Sequence, residues 1–492
     1  MPRPARRLRR RSRRPSGAKR GVANFGILSN GWIYRHERRS GASLLCVRFQ
    51  QRTWPGVIVG LDEGGGVLTV TITSDRIQNG RTITGTSEIF EVRKMLKSIE
   101  ISNFKGISAT PVELGRFNVL IGANAAGKSN FVDALRFIHD ILEDSLRSAV
   151  RKRLGWNNVL TRDKAKSEKI TTRIKCCGAN MGEEVEYEGK IYEPINLEYM
   201  YGIGCRRNRL YVNSEELKFN FQSNKKKTTE HFSRTQQKVK ILNSVILEKP
   251  IGTLEGSKQV QDQLFIETGF FNIGSSILSE LISRWQFYEL NVGAARGPCN
   301  EIGHEALLDD GSNLASILEK LKTKSLKVVY DQIVATMSSL IPGFENWKTA
   351  RQFDGPLVFK IQEHGISKGF WPKMISDGTI RLLGVLVALL YQPSKASLIC
   401  IDEPERYLHP QVLESLVEIM RDVSEKTQLI VTTQSPELVK WLKPNEVLMV
   451  DKKNNSTHIK RAEDIEMVDK FMEDFTMDEL WLGGYLEGGR AL

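Results

Sequence analysis

The stretch Gly122-Ala-Asn-Ala-Ala-Gly127-Lys128-Ser129 limits what this chain can become more than any other. It fits G-x-x-x-x-G-K-[ST] at every fixed position, and its flanks turn the pattern into a site. Before it, Val119, Leu120 and Ile121 read as a short buried strand. After it, Phe131, Ala134, Leu135, Ile138 and Leu142 recur at the three- and four-residue steps of one helix face. Glycines let the backbone curl so that successive N–H groups face one point, and the helix N-terminus adds partial positive charge there. That makes a cradle for phosphate. Gly122, Asn124, Ala125, Ala126, Gly127, Lys128, Ser129 and Asn130 are its candidate binding residues. Lys128 would bring charge to the β- and γ-phosphates, and Ser129 an oxygen to Mg2+.

A second apolar strand, Ala396-Ser-Leu-Ile-Cys-Ile401, ends in Asp402-Glu403-Pro404-Glu405. An acidic pair at the end of a buried strand is costly unless a cation or ligand compensates it. Asp402 is suited to hold Mg2+ through water, and Glu403 to act as general base on the attacking water. Capping of the next helix is the plainer reading of these acids, but Pro410 opens that helix better. Upstream, Ser376-Asp377-Gly378-Thr379 leads a helix over 380–391. Ser376 and Gly378 make a second anion-binding cap, which one chain does not need for a single γ-phosphate. A cap that serves a second copy would explain it, with a C2 dimer burying two ATP molecules between its faces. A third strand, 428–433, ends in Gln434, whose side chain would reach the γ-phosphate.

Taken in order, these motifs resemble those of ABC-type ATPases of the RecF/SMC-like branch, above all the compact bacterial AAA_21/AAA_15 group. The resemblance rests on Ile99-Glu-Ile-Ser-Asn-Phe-Lys-Gly106, Gly122–Asn130, Ser376-Asp-Gly-Thr-Ile-Arg-Leu-Leu383, Ile401-Asp-Glu-Pro-Glu-Arg-Tyr-Leu-His-Pro410 and Val431-Thr-Thr-Gln-Ser-Pro436. Asp309-Asp-Gly-Ser-Asn-Leu314 and Phe475-Thr-Met-Asp-Glu-Leu-Trp-Leu-Gly-Gly484 extend it over residues 95–492. It implies an α/β P-loop NTPase with an ABC-like head, Mg2+-dependent ATP hydrolysis and a homodimer formed through ATP. It also implies roles: Ser376 and Gly378 in the signature loop acting in trans, Asp402 as the Walker B aspartate, Glu403 as catalytic base, and Lys105 near the nucleotide. Gln434 stands where these proteins often carry histidine. An amide still hydrogen-bonds a phosphate or a water but carries no charge. Slow turnover, or a nucleotide-dependent scaffold with little of it, is therefore one expectation.

Residues 151–350 separate the two halves of the site. They lack the sustained heptads of a long coiled coil. Residues 170–222 alternate in the manner of strands, and 312–341 read as helix through Leu314, Ile317, Leu318 and Leu321. The expected organisation is an N-terminal ATPase lobe over 95–150, a mixed α+β insertion over 151–350 and a C-terminal lobe over 351–492. Arg206-Arg-Asn-Arg209 and Lys225-Lys-Lys227 read as solvated loops, with contact to DNA, RNA or an acidic partner as the alternative. No aromatic is interleaved for base stacking. The stretch after Gln434 is too short for a fused metal-dependent nuclease domain, so any effector is expected to be a separate protein.

The net charge of +13 suggests a nucleic-acid footprint until its position is read. Residues 1–94 hold 19 of the 71 Lys and Arg and 6 of the 58 Asp and Glu, so the surplus sits there and the remainder is neutral. This segment opens with an Arg-rich run from Arg3 to Arg20 that cannot fold alone, followed by an alternating stretch at Val67 that suggests one hairpin. It reads as a phosphate-gripping arm, a transit peptide, or translated upstream sequence before a start at Met95; the last is the favoured expectation. Six cysteines, at 46, 176, 177, 205, 299 and 400, show no metal-ligand spacing and read as reduced thiols. The longest apolar run, Leu382–Tyr391, is too short to span a bilayer, which points to a cytoplasmic protein. The expected functions, in order, are an ATPase controlling a separate nuclease or toxin in anti-phage defence, a DNA-repair or DNA-clamping ATPase, and the scaffold.

Overall fold

The computed structural model describes residues 95–487 except 108–109, 162–168, 178–184, 188–189, 224–225, 236–237, 244–253, 256–262, 265, 267–272, 300–304, 352–354, 394 and 455. It also describes five short strands in the first 94 residues. Compactness divides the chain into Met1–Phe90 and Glu91–Leu492. In the first unit Asn24–Leu28, Trp32–His36 and Val47–Arg48 form an antiparallel sheet, and Ile58–Val59 pairs with Val70–Thr71. The run Arg3 to Arg20 lies outside the described residues.

The second unit is built on three short strands that the sequence marks as apolar runs. Phe117–Ile121 and Gln428–Thr432 are buried at every position, and Leu398–Asp402 at all but the last. Strands of this kind belong in a parallel sheet covered on both faces. They lie side by side in a six-stranded sheet ordered Trp285–Tyr288, Leu398–Asp402, Gln428–Thr432, Phe117–Ile121, Val447–Lys453, Ser456–Arg461. The first five are parallel and the edge strand Ser456–Arg461 is antiparallel.

Alternation along these strands feeds two cores. Leu120, Leu398, Cys400 and Ile430 point into one, which holds the helix Lys128–Glu143 through Phe131, Leu135, Ile138 and Leu142. Val119, Ile121, Ile399, Ile401 and Val431 point into the other, against the helices Leu314–Leu321, Asp377–Leu390 and Pro410–Ser424. The apolar run at Leu382 is therefore an interior helix, and no helix among the described residues is long and apolar enough to cross a membrane.

Beyond the first core lies a nine-stranded antiparallel sheet, in which Leu96–Ser102 pairs with Lys169–Cys177. The long strands Lys190–Arg206 and Arg209–Ser223 continue it. Residues 151–350 are thus not set apart: they supply most of this sheet and, through Trp285–Tyr288, an edge of the other. The helix expected over 312–341 is two, Leu314–Leu321 and Lys327–Leu340, joined by the turn Lys324–Leu326. The break falls in Lys322-Thr-Lys-Ser, where the apolar stripe lapses. Cys400, buried in the sheet, is a free thiol.

Gln428 fastens the two sheets together. Its buried amide donates to the carbonyls of Leu96 and Gly115 at 2.8 and 2.7 Å, and its carbonyl accepts the Leu96 N–H at 3.0 Å. Leucine there would take these partners from the Leu96 N–H and carbonyl in the interior, at a cost of about 1–3 kcal/mol for each group that water cannot reach, whereas the Gly115 carbonyl keeps the Asn118 amide at 2.8 Å. Gln428→Leu is therefore expected to lower the unfolding free energy by about 3 kcal/mol, read from a urea denaturation midpoint.

Candidate active site

Three parallel strands end together at the site. Phe117–Ile121 runs into the glycine loop, Leu398–Asp402 into the acidic turn, and Gln428–Thr432 into Thr433 and Gln434. Ligands of open parallel sheets sit at this carboxyl edge. The loop is a concave nest with Gly122 at φ 154°, Ala125 at 64° and Gly127 at 117°. A Cβ on Gly122 would stand 2.2 Å from the Val450 carbonyl, and one on Gly127 2.2 Å from the Thr457 hydroxyl, so both positions require glycine. Thr457 also donates to the Ala126 carbonyl at 3.0 Å, and its N–H to that of Gly106 at 2.7 Å. Thus Ser456–Arg461, far along the chain, braces the loop. Gly127→Ala is expected to cost about 1–3 kcal/mol of backbone strain. A calorimetric titration should show correspondingly weaker ATP binding.

The helix Lys128–Glu143 begins with no side-chain cap and no acidic residue in its first turn. Such uncapped N–H groups suit an anion. Asn124, Ala125 and Ser129 are exposed, whereas Ala126, Gly127 and Lys128 are buried. The Lys128 ammonium rests on the carbonyls of Gly122 at 2.7 Å and Ala123 at 3.2 Å. Burial pulls its pKa below the ordinary lysine range, and Glu403, Asp402 and Glu405 oppose that shift through their charges. The glycine loop and the acidic turn therefore face one space. Asn130 donates to the Lys105 carbonyl at 3.0 Å, while the Lys105 ammonium pairs with Asp133 at 2.7 Å. Lys105 is thus at the rim of the loop, engaged by a neighbouring acid.

Glu403 is held from three sides with its backbone at φ 44°. Its N–H donates to the Thr432 carbonyl at 2.9 Å, Arg381 donates to its carbonyl at 2.6 Å, and the Gln434 amide donates to its carboxylate. Asp402 accepts from the Thr432 hydroxyl. Ser376 caps the helix Asp377–Leu390, accepting the Thr379 N–H at 3.1 Å. Gly378 has a reason within its own chain, since a Cβ there would meet the Tyr407 carbonyl at 2.6 Å. The Ser376–Thr379 segment therefore packs against the turn that follows Glu403.

Sequence reasoning assigned no role to Arg381, Glu405, Thr432, Thr433 or Thr457. Arg381 left a signal, a charge in the apolar run Ile380–Leu390. Glu405 is buried and accepts from the Thr433 hydroxyl. Burial lifts its carboxyl to about 7 from 4.5, against the Thr433 bond. A carboxyl raised on folding stabilises the fold below its unfolded pKa, and that contribution is lost as pH climbs from about 4.5 to about 7. The shift corresponds to about 3 kcal/mol. Glu405→Gln should therefore narrow the difference between urea melts at acidic and mildly alkaline pH.

For Mg2+ the fit lies in the donor set: an exposed Ser129 hydroxyl opens the helix, and the Asp402 carboxylate ends the strand Leu398–Asp402, one strand removed from that of the loop. Among the described residues no cluster of three or more His, Cys, Asp or Glu could hold a metal alone. A Mg2+ that takes most of its ligands from phosphates and water needs none.

Fold and site together have the form of a P-loop ATPase domain. In particular, residues 95–272 match the family model AAA_15, described as an AAA ATPase domain. Residues 318–440 match AAA_21, described as "AAA domain, putative AbiEii toxin, Type IV TA system". No curated protein matches the chain. Among solved structures, an SmcHead bound to the C-winged helix domain of ScpA is 13% identical with a TM-score of 0.45, covering 75% of this chain and 99% of its own. An Smc head with an extended coiled coil from Pyrococcus furiosus, bound to the C-terminal domain of ScpA, is 12% identical with the same score, covering 77% and 100%. The SMC head domain from Thermotoga maritima is 12% identical at 0.37, covering 75% and 98%.

Proposed function

We propose that this protein binds and hydrolyses ATP with Mg2+ as a nucleotide-sandwiched homodimer, and that the dimer controls a separate effector. The observation that carries the reading is that the glycine loop, the acidic turn and Gln434 follow the carboxyl ends of three parallel strands lying side by side in one sheet. The N–H groups of the loop and first helical turn would receive the β- and γ-phosphates, with Lys128 leaving its two carbonyls to join them. Glu403 would accept the proton of the attacking water, whose oxygen bonds to the γ-phosphorus as the bond to the ADP oxygen breaks. Gln434, already on the Glu403 carboxylate, would hold that carboxylate toward the water. Ser129 and Asp402 would hold Mg2+, which supplies neutralising charge on the phosphate oxygens. Ser376 and Gly378 of the partner subunit would close the site. Light scattering tests the dimer: with ATP and Mg2+ the mass should double from the 55.7 kDa of one chain. A mass that stays at one chain at saturating ATP contradicts the sandwich.

The effector reading draws on the described toxin–antitoxin context of the AAA_21 model. A nuclease or toxin would act only in one nucleotide state, as in anti-phage defence. Expression with its neighbouring genes should protect a host from phage in an ATPase-dependent manner. Equal protection by a hydrolysis-dead variant would count against it.

A second reading, DNA clamping, is favoured by one observation. Arg206, Arg207 and Arg209 are exposed at the tight turn joining two long strands, with Arg207 and Asn208 at positive φ. Lys225 lies outside the described residues, and Lys226 opens a strand. This reading requires DNA-stimulated hydrolysis and binding that weakens steeply with salt.

A further inference from the structure

Arg381 lies one helical turn beyond the Ser376–Gly378 cap, 4% exposed, among the buried Ile380, Leu382 and Leu383. Its guanidinium donates to the carbonyls of Asp402 at 2.8 Å and Glu403 at 2.6 Å, and to that of Leu290 beyond the edge strand Trp285–Tyr288. Burying a guanidinium in an apolar helix is costly, and helix packing alone would favour leucine there. What the arginine adds is a planar fork from the signature helix: Nη1 reaches the Leu290 carbonyl, while Nη2 holds two consecutive carbonyls of the acidic turn. One of them belongs to Glu403, whose left-handed backbone persists only because its surroundings fix it.

In the sandwich, a protomer's signature cap meets the ATP held by its partner, whereas its Glu403 serves its own ATP. We propose that Arg381 is a positioning residue linking these two sites, so that seating the partner's nucleotide on the cap orients Glu403 for hydrolysis. The proposal rests on the sandwich reading. The helix Asp377–Leu390 is continuous and buried nearly throughout, so a displacement of its N-terminus would carry the guanidinium, and with it the Glu403 peptide. The two sites then fire together rather than independently.

Mixed dimers of wild-type and Ser376→Ala protein, isolated through different tags, test this. In them the altered cap weakens the wild-type protomer's site directly, whereas the altered protomer's own site keeps an intact cap opposite it. The relay predicts that Glu403 of the altered protomer is no longer oriented, so both sites fail and the rate falls at least about 10-fold below wild type. A mixed dimer that keeps about half the wild-type rate, as independent sites would, overturns the relay and leaves Arg381 a packing element. Arg381→Lys keeps the charge, but one ammonium cannot span Leu290 and the acidic turn together. The variant should still dimerise with ATP, at unchanged affinity, while kcat falls about 10- to 100-fold; a wild-type kcat would also overturn the relay. Absence of any ATP-induced dimer would remove the sandwich and the relay together, and so is told apart from failure of the relay alone.

Discussion

Glu403→Gln should slow ATP turnover by about 100- to 10 000-fold while leaving ATP binding intact. The carboxylate is the only group at the acidic turn whose backbone is pinned in a strained conformation with a polar side chain resting on it. Glutamine preserves its size, and its amide oxygen still accepts from Gln434, so the turn should keep its shape. What is lost is the basic oxygen. The variant should therefore accumulate as an ATP-bound dimer, visible by light scattering, with phosphate release measured in parallel. The same comparison decides between an enzyme and a scaffold. If wild-type turnover is no faster than that of the variant, hydrolysis is not what the site is for, and the uncharged Gln434 is the first place to look for the reason.

Lys128→Ala should act earlier, on binding itself. The ammonium is the positive charge on which Glu403, Asp402 and Glu405 all act. Without it a triphosphate entering the cradle would meet three carboxyl groups and the loop N–H groups alone. Loss of one well-placed donor to transferring phosphate oxygens costs about 100- to 1000-fold in rate. Here the loss should appear in both affinity and turnover, so kcat/KM falls below detection and ATP no longer produces a dimer. Circular dichroism should show the fold retained, because Lys128 bonds only to carbonyls of its own loop.

How much of this was legible in the sequence follows from how local each feature is. The loop Gly122–Ser129 and the turn Asp402–Glu403 are contiguous, and their flanking strands read as apolar runs because both sheet faces are covered. Which strands become neighbours depends on many weak cross-strand contacts, so the sequence was silent on Gln428–Thr432 lying between the other two. Nor could it show that Lys169–Cys177 would extend the sheet begun by Leu96–Ser102. Gln428 looked like an ordinary strand-opening polar residue; its role appears only when Leu96, 332 positions away, is beside it. Thr457 is similar, a strand threonine whose contact with Gly127 is made in space alone. Arg381 is the instructive case, since an arginine in an apolar helix is visible in the sequence while the carbonyls it holds are not. Gly378 shows the reverse: the cap motif suggested a phosphate, and the fold supplies a second cause in the Tyr407 carbonyl.

The most direct measurement is a structure of the Glu403→Gln protein with ATP and Mg2+. The γ-phosphate should lie between the Lys128 ammonium and the side chain at position 403, with Ser376 of the partner subunit capping it. A triphosphate bound elsewhere, or a γ-phosphate reached by Lys128 but turned away from position 403, would contradict the account.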